Sequence, residues 1–352
     1  MRRNPVTTSV RRLRAPVVAG TLAALAFASA GYAAPAAARP ATAQLATARP
    51  ATAQLTTARL ATTPLATARL ATARPAAFPG FVLDRGRYST IDVPGARTEG
   101  IASGIENGGR IVGAFDRDAD RHFHGFVRDR RGRFTTIDVP GAEGTAASEI
   151  NERGQVVGFY SDVSADPGRN DARSRGFLLD RGRFTRIDVP GARRTLAFGI
   201  DGRGRVVGTY EKADGVGHGY VWERGRFRTI DAPGADATAV LGMNTRGDVV
   251  GLRAVGQAIE GFLLRRGRFT TISAPGAAFT LPTGIDDRGR IVGTLYLDAA
   301  QTSGRGFLLA EGPSGPFTPV AVPGARLTVA LAIDGRGRIV GGYARPGTAV
   351  AP

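Results

Sequence analysis

The chain has 352 residues, no cysteine, three histidines and a formal charge of +17. Without cysteine there is no disulfide scaffold, thiolate metal site or thiol nucleophile, and three histidines leave few groups to move protons near neutral pH. The charge is uneven: residues 1–75 hold ten arginines and no acidic side chain, so the remainder carries only +7.

The chain opens with Arg2, Arg3, Arg11, Arg12 and Arg14, then an uncharged run to Ala38 whose apolar residues lie between Val17 and Ala30. Small-x-small patterns at Ala28-Ser29-Ala30 and Ala36-Ala37-Ala38 complete the plan of a secretory signal peptide over residues 1–38. The apolar part is short for the ~20 residues of a spanning helix. Cleavage and release to the periplasm or medium are therefore expected, with no membrane span afterwards. Arg11-Arg12 fits the twin-arginine route poorly. Residues 39–75 then repeat a five-residue unit such as ATAQL and ATARP. The unit faintly resembles a pentapeptide β-helix, but Arg, Gln or Pro precedes the central position, and Pro50 and Pro75 occupy it. Residues 39–77 are read as a disordered linker and 347–352 as a disordered tail.

From residue 78 to 346 three landmarks recur six times in one order. A Gly-aromatic pair places Phe81, Phe126, Phe177, Tyr220, Phe262 and Phe307 at spacings of 45, 51, 43, 42 and 45 residues. A Pro-Gly-Ala triplet follows each, and then an Ile/Val-Val-Gly triplet. Such a period is that of propeller blades. One unit divides into four short strands: 145–150, 155–160, 176–179 and 183–189, with turns at 151–154 and 180–182. Phe-Leu-Leu, Ile-Val-Gly and Phe-Thr-Thr-Ile put apolar groups on both faces, which a two-layer sandwich would not need. The reading is all-β: a six-bladed β-propeller of four-stranded antiparallel blades. The first segment supplies third and fourth strands and the last supplies first and second, so pairing of the N- and C-terminal strands closes the sixth blade. A β-solenoid ranks second.

The repeats resemble the HAF-repeat proteins, a family of predicted extracellular bacterial repeats. The likeness covers about Gly80 to Gly342 and rests on His124-Gly125-Phe126, His218-Gly219-Tyr220 and Ile150-Asn151 followed by Gly154-Gln155-Val156-Val157-Gly158. Four repeats replace the histidine. The resemblance implies an extracellular location and a repeat architecture, and carries no activity.

On this plan the first-to-second and third-to-fourth turns share one face and hold 21 arginines against 12 acidic residues. Arg85, Arg131, Arg133, Arg181, Arg183, Arg224, Arg266 and Arg268 are the candidate ligand-binding residues. The class expected is an anionic polysaccharide or other envelope component, since repeated guanidinium contacts suit acidic polymers. Export disfavours nucleic acid. On the other face, Arg97, Glu99, Glu143, Arg194, Asp236 and Arg326 are candidates to surround the channel mouth. Asp116, Asp118 and Asp120 alternate as at the start of a calcium loop. Arg121 stands where that loop needs glycine, so a solvated loop is preferred and no cofactor is expected. No nucleophile elbow, zinc-helix motif or phosphate loop is present. The chain reads as a noncatalytic, monomeric binding or scaffold module. The alternative is an extracellular lyase or hydrolase of propeller fold, with its site at the channel mouth.

Overall fold

The computed structural model describes residues 78–96, 100–117, 123–162, 174–256, 258–298, 301 and 303–346. The signal peptide, the linker and the tail expected from the sequence lie outside these residues.

Among the described residues there are twenty-four strands and no helix. β1 (Gly80–Asp84) and β2 (Arg87–Ile91) form a hairpin. Four antiparallel four-stranded sheets follow. The first holds β3 (Ile101–Ile105), β4 (Ile111–Asp116), β5 (Phe123–Arg128) and β6 (Phe134–Ile137). The second holds β7 (Ala142–Ile150), β8 (Val156–Asp162), β9 (Ser174–Asp180) and β10 (Arg183–Ile187). The third holds β11 (Arg194–Ile200), β12 (Val206–Glu211), β13 (Gly217–Glu223) and β14 (Arg226–Ile230). The fourth holds β15 (Ala237–Met243), β16 (Val249–Val255), β17 (Ala258–Arg265) and β18 (Arg268–Ile272).

The remaining strands are β19 (Phe279–Ile285), β20 (Ile291–Tyr296), β21 (Gly304–Leu309), β22 (Phe317–Val320), β23 (Leu327–Ile333) and β24 (Ile339–Ala344). Together with β1 and β2 they form a mixed eight-stranded sheet. Its halves meet through a single parallel pair, Gly304 with Leu327. β24 pairs antiparallel with β1, from Gly342 opposite Gly80 to Ile339 opposite Leu83.

The Ile/Val-Val doublets explain the packing. Successive strand residues point to opposite faces. Val156 packs into a core with Val112 and Ile137 of the preceding sheet, while Val157 joins Ala197 and Ile200 of the next. Val206 and Val207 divide likewise between the sheets before and after them. At the end of the series, Ile339 packs with Val292 and Val320, and Val340 packs with Ala102, Ile105 and Ile111 of the first sheet. Each such buried valine contributes ~1.5–3 kcal/mol.

The glycine that completes each triplet has a separate cause. A Cβ on Gly208 would lie 1.9 Å from the Leu196 carbonyl oxygen, and one on Gly341 would lie 1.8 Å from that of Val329. The first strand crosses too close for any side chain. A β-bulge at one register position in every first strand, Ala102/Gly104 through Ala330/Ala332, accompanies this approach.

The fourth strands depart from the two-faced apolar expectation. β2, β10 and β14 share one pattern in which only the final isoleucine is fully buried. Their aromatic second residue is half-buried against the third strand, as in Phe81–Tyr88, Phe177–Phe184 and Tyr220–Phe227. The rest is exposed because a fourth strand has no further neighbour within its sheet.

Candidate functional site

The first-to-second turns, here the inner turns, follow one design. Each starts with a buried acid or amide: Glu106, Asn151, Asp201, Asn244, Asp286 or Asp334. Its side-chain oxygen accepts the backbone N–H groups two and four residues on, as Asp201 does from Arg203 at 2.9 Å and Arg205 at 2.8 Å. The fifth residue then completes a bridge. Arg205 Nε donates to Asp201 (2.8 Å) while its Nη2 donates to the Thr245 carbonyl of the next inner turn (3.1 Å). Arg290 joins Asp286 to the Asp334 carbonyl in the same way. Where the first residue is asparagine, its own Nδ2 makes the step, from Asn151 to Asp201 (3.0 Å) and from Asn244 to Asp286 (3.1 Å). Arg110 reaches the Glu152 carbonyl at 3.3 Å. Arg338 returns to the first turn, donating to the carbonyls of Glu106 (3.2 Å) and Asn107 (2.9 Å).

Part of the arginine on this face is thereby committed to the fold. Arg110, Arg205, Arg290 and Arg338 are bound to nearly inaccessible carboxylates and tie turns together. Arg246 and Arg265 both contact Asp248. Arg153, Arg203, Arg288 and Arg336 remain exposed.

The third-to-fourth turns, the outer turns, lie beside the inner ones: Gln155 Nε2 donates to Asp180 at 3.1 Å, and Arg265 reaches Asp248. All eight candidate arginines are on these turns and all are exposed. Arg85, Arg181, Arg224 and Arg266 have φ of 49–50°, each followed by a glycine with φ of 78–83°. Two successive positive φ values are the two-residue hairpin turn in which Asn-Gly is the relaxed choice. An L-residue with a side chain there costs about 1 kcal/mol. None of the four has an ion-pair partner among the described residues. Arg131, Arg183 and Arg268 are likewise without one. Arg133 differs, since its Nε lies 2.7 Å from Asp129 in a turn built like the inner ones.

The opposite face holds a cavity of about 320 Å³ lined by Phe123, His124, Asp138–Gly141, Ala142, Glu143, Gly144 and Thr145. His124 Nδ1 lies 2.9 Å from Asp138 Oδ1. The pairing recurs at His218 and Asp231 (3.0 Å), where the imidazole stacks on Tyr210, and as Arg175 with Asp188 (3.1 Å). The Asp before Val-Pro-Gly or Ala-Pro-Gly thus partners the residue before Gly-aromatic. Of the channel-mouth candidates among the described residues, only Glu143 lines the cavity. Arg194 stands opposite Glu211 in its own sheet, Asp236 accepts the Gly256 N–H at 2.7 Å, and the Arg326 N–H donates to Ala344. Arg97, Glu99, Asp118 and Asp120 lie outside the described residues, and Asp116 ends β4. Among the described residues no three metal-ligating side chains form a group. No helix there is long and apolar enough to cross a membrane.

Sequence reading passed over an acidic seam between the first two four-stranded sheets. Glu149 follows the bulge of β7, where the other first strands have Gly104, Gly199, Gly242, Gly284 or Ala332. Its Oε1 accepts the N–H groups of Ile105 (3.1 Å) and Ile150 (2.9 Å). Burial outweighs these bonds and pushes the carboxyl up to about 8. At the adjoining turn, Glu152 accepts the Asn107 N–H at 2.8 Å and is raised by burial and by the neighbouring Glu106 carboxylate. Burial works against Glu106 ionising, but Glu152, the N–H groups of Arg110 and Gly108, and the Arg110 guanidinium hold it down to about 2. Aligning the six repeats exposes the signal: a glutamate in a glycine position.

No protein-family model and no curated protein matches the chain. Among solved structures, a protein assigned as TolB from Agrobacterium tumefaciens aligns with a TM-score of 0.55 at 11% identity, over 77% of this chain and 99% of its own. TolB from Acinetobacter baumannii gives 0.49 at 12% identity, over 76% and 65%. Virginiamycin B lyase from Staphylococcus aureus gives 0.40 at 14%, over 67% and 75%. The fold is a β-propeller. Identities this low speak to fold alone.

Proposed function

We propose that the chain is an exported, noncatalytic propeller acting as a binding or scaffold module, holding an anionic envelope polysaccharide through its arginine-rich turn face. The propeller is a ring of six four-stranded blades and belongs with the HAF-type repeats. The eight-stranded sheet counts as two blades touching at one parallel pair, the second completed by β23, β24, β1 and β2. Arg338 reaching Glu106 supports the closed ring, as does the core shared by Val340 and Ile105. The protein works as a monomer without a cofactor.

One observation carries the binding reading. Four exposed arginines without ion-pair partners occupy one turn position in a backbone conformation that favours Asn or Gly. An unfavourable residue retained at an exposed site points to use. The test is binding of the full chain to heparin, with affinity falling steeply as salt rises. Binding indifferent to salt, or unchanged after charge reversal of Arg131, Arg181 and Arg266, overturns the reading.

The lyase or hydrolase alternative draws on the cavity beside His124, where the His124–Asp138 pair and Glu143 share the lining. Turnover of a glycan or lactone by the full chain, abolished by Asp138→Asn, would put it in place of the binding role.

A further inference from the structure

Around the ring the outer turns are unequal. Five consecutive turns, at 84–87, 129–133, 180–183, 223–226 and 265–268, carry exposed arginine. The sixth, between β21 and β22, carries no basic residue, and its one charge is the exposed Glu311. The basic surface is therefore an arc with a gap.

The arc is rigid. Each of its turns is a tight hairpin whose strands stay paired to the turn itself, as in Asp84 opposite Arg87 and Arg265 opposite Arg268, except the bonded loop at Asp129–Arg133. Behind them the inner turns are tied to one another. The guanidinium groups that the outer turns carry are planar donor forks suited to carboxylate or sulfate. A chain that engages several forks gains from each later contact being intramolecular.

Aromatic side chains decide between polymer classes. Single-stranded nucleic acid is held by bases stacking on exposed rings. Among the described residues no aromatic side chain is exposed: the fourth-strand rings are engaged with third-strand rings, as in Phe262–Phe269 and Phe307–Phe317, and Trp222, beside the 223–226 turn, is half-buried against the core. The face offers charge without a stacking platform.

We infer that the partner is a linear carboxylated or sulfated polysaccharide laid along these five turns, its path ending at the turn that carries Glu311. This rests on the binding-module reading above and adds the ligand's shape and direction.

The experiment measures binding of the full chain to size-fractionated heparin and to polygalacturonate, with single-stranded and duplex DNA of similar charge as comparisons. Affinity is expected to rise at least about tenfold from the shortest to the longest polysaccharide fraction. Arg181→Glu and Arg266→Glu should each weaken the longest fraction about tenfold and flatten its salt dependence, at unchanged Tm. Glu311→Arg should leave the shortest fraction unaffected and tighten the longest. Affinity independent of length, no effect of Glu311→Arg, or DNA bound as tightly as polysaccharide overturns the arc. Absence of salt-dependent binding to any polyanion defeats instead the binding module on which the arc depends.

Discussion

Replacing Glu149 with glutamine should make the protein less sensitive to alkaline pH. The carboxyl sits in a seam between β3 and β7, with Ile105 and Ile150 N–H groups on Oε1 and, among the described residues, no cation acting on it. Folding raises it from an ordinary 4.5 to about 8. The folded protein therefore keeps the proton over a range where the unfolded chain has released it. Its contribution is fully present below pH 4.5, declines as pH rises, and levels off above about 8. At about 1.4 kcal/mol per pH unit, the whole loss has a ceiling of ~5 kcal/mol, because some solvent still reaches the side chain. About 1 kcal/mol of it falls between neutrality and pH ~9, or roughly 2–4 °C in Tm for a domain this size. Glutamine can accept the same two N–H bonds without ionising. Melting curves of both proteins across this range isolate the effect, since Glu152 and every other titrating group cancels in the difference. Parallel Tm–pH curves would show that Glu149 ionises freely in the fold, and the reasoning would fail.

Arg338→Ala removes two bonds to the first inner turn and strands the Asp334 carboxylate, which is 1% exposed. It should cost ~3–5 kcal/mol in urea unfolding, whereas the exposed neighbour variant Arg336→Ala should cost less than about 0.5. Gly208→Ala would drive a methyl to 1.9 Å from the Leu196 carbonyl, which also accepts the Tyr220 hydroxyl. A loss of at least ~3 kcal/mol, or no folded protein, is expected, read as loss of near-ultraviolet circular dichroism. Arg181→Asn keeps the turn but suits its φ of 50°, and should raise Tm by the equivalent of ~0.5–1 kcal/mol while weakening polyanion binding.

The doublets were readable because strand alternation is a local property. Any chain that places Val156 and Val157 side by side in a strand must bury one on each face, and only sheets on both sides allow that. Pro190-Gly191 was readable for a similar reason: Gly191 has the positive φ, 76°, that such a turn requires. The inner-turn bridges were not. Asp201 and Arg205 have the look of a solvated turn pair, and nothing local to the sequence says that the carboxylate is buried or that Thr245 waits 40 residues away. The bulges were hidden too, because one extra residue shifts the alternation without altering composition. Glu149 was missed because it was read within its own repeat, where Ser-Glu-Ile passes for a surface strand.

The two kinds of turn divide one task. A propeller whose first strand pairs with its last, as β1 does with β24, has to hold its seams. Here the arginines that hold them are neutralised by Glu106, Asp201, Asp286 and Asp334 and give up their charge to the fold. With the inner turns bound to each other, the outer turns mainly close a hairpin and seat one aromatic ring, although Asp180 and Arg265 also reach back to an inner turn. A two-residue hairpin needs positive φ at both positions, and glycine at the second already relieves most of the strain. In the four turns built this way the first position can then display a long cation at a cost of about 1 kcal/mol without disturbing either core. That is where Arg85, Arg181, Arg224 and Arg266 stand, and the same economy explains why the charge is free there and bound in the inner turns.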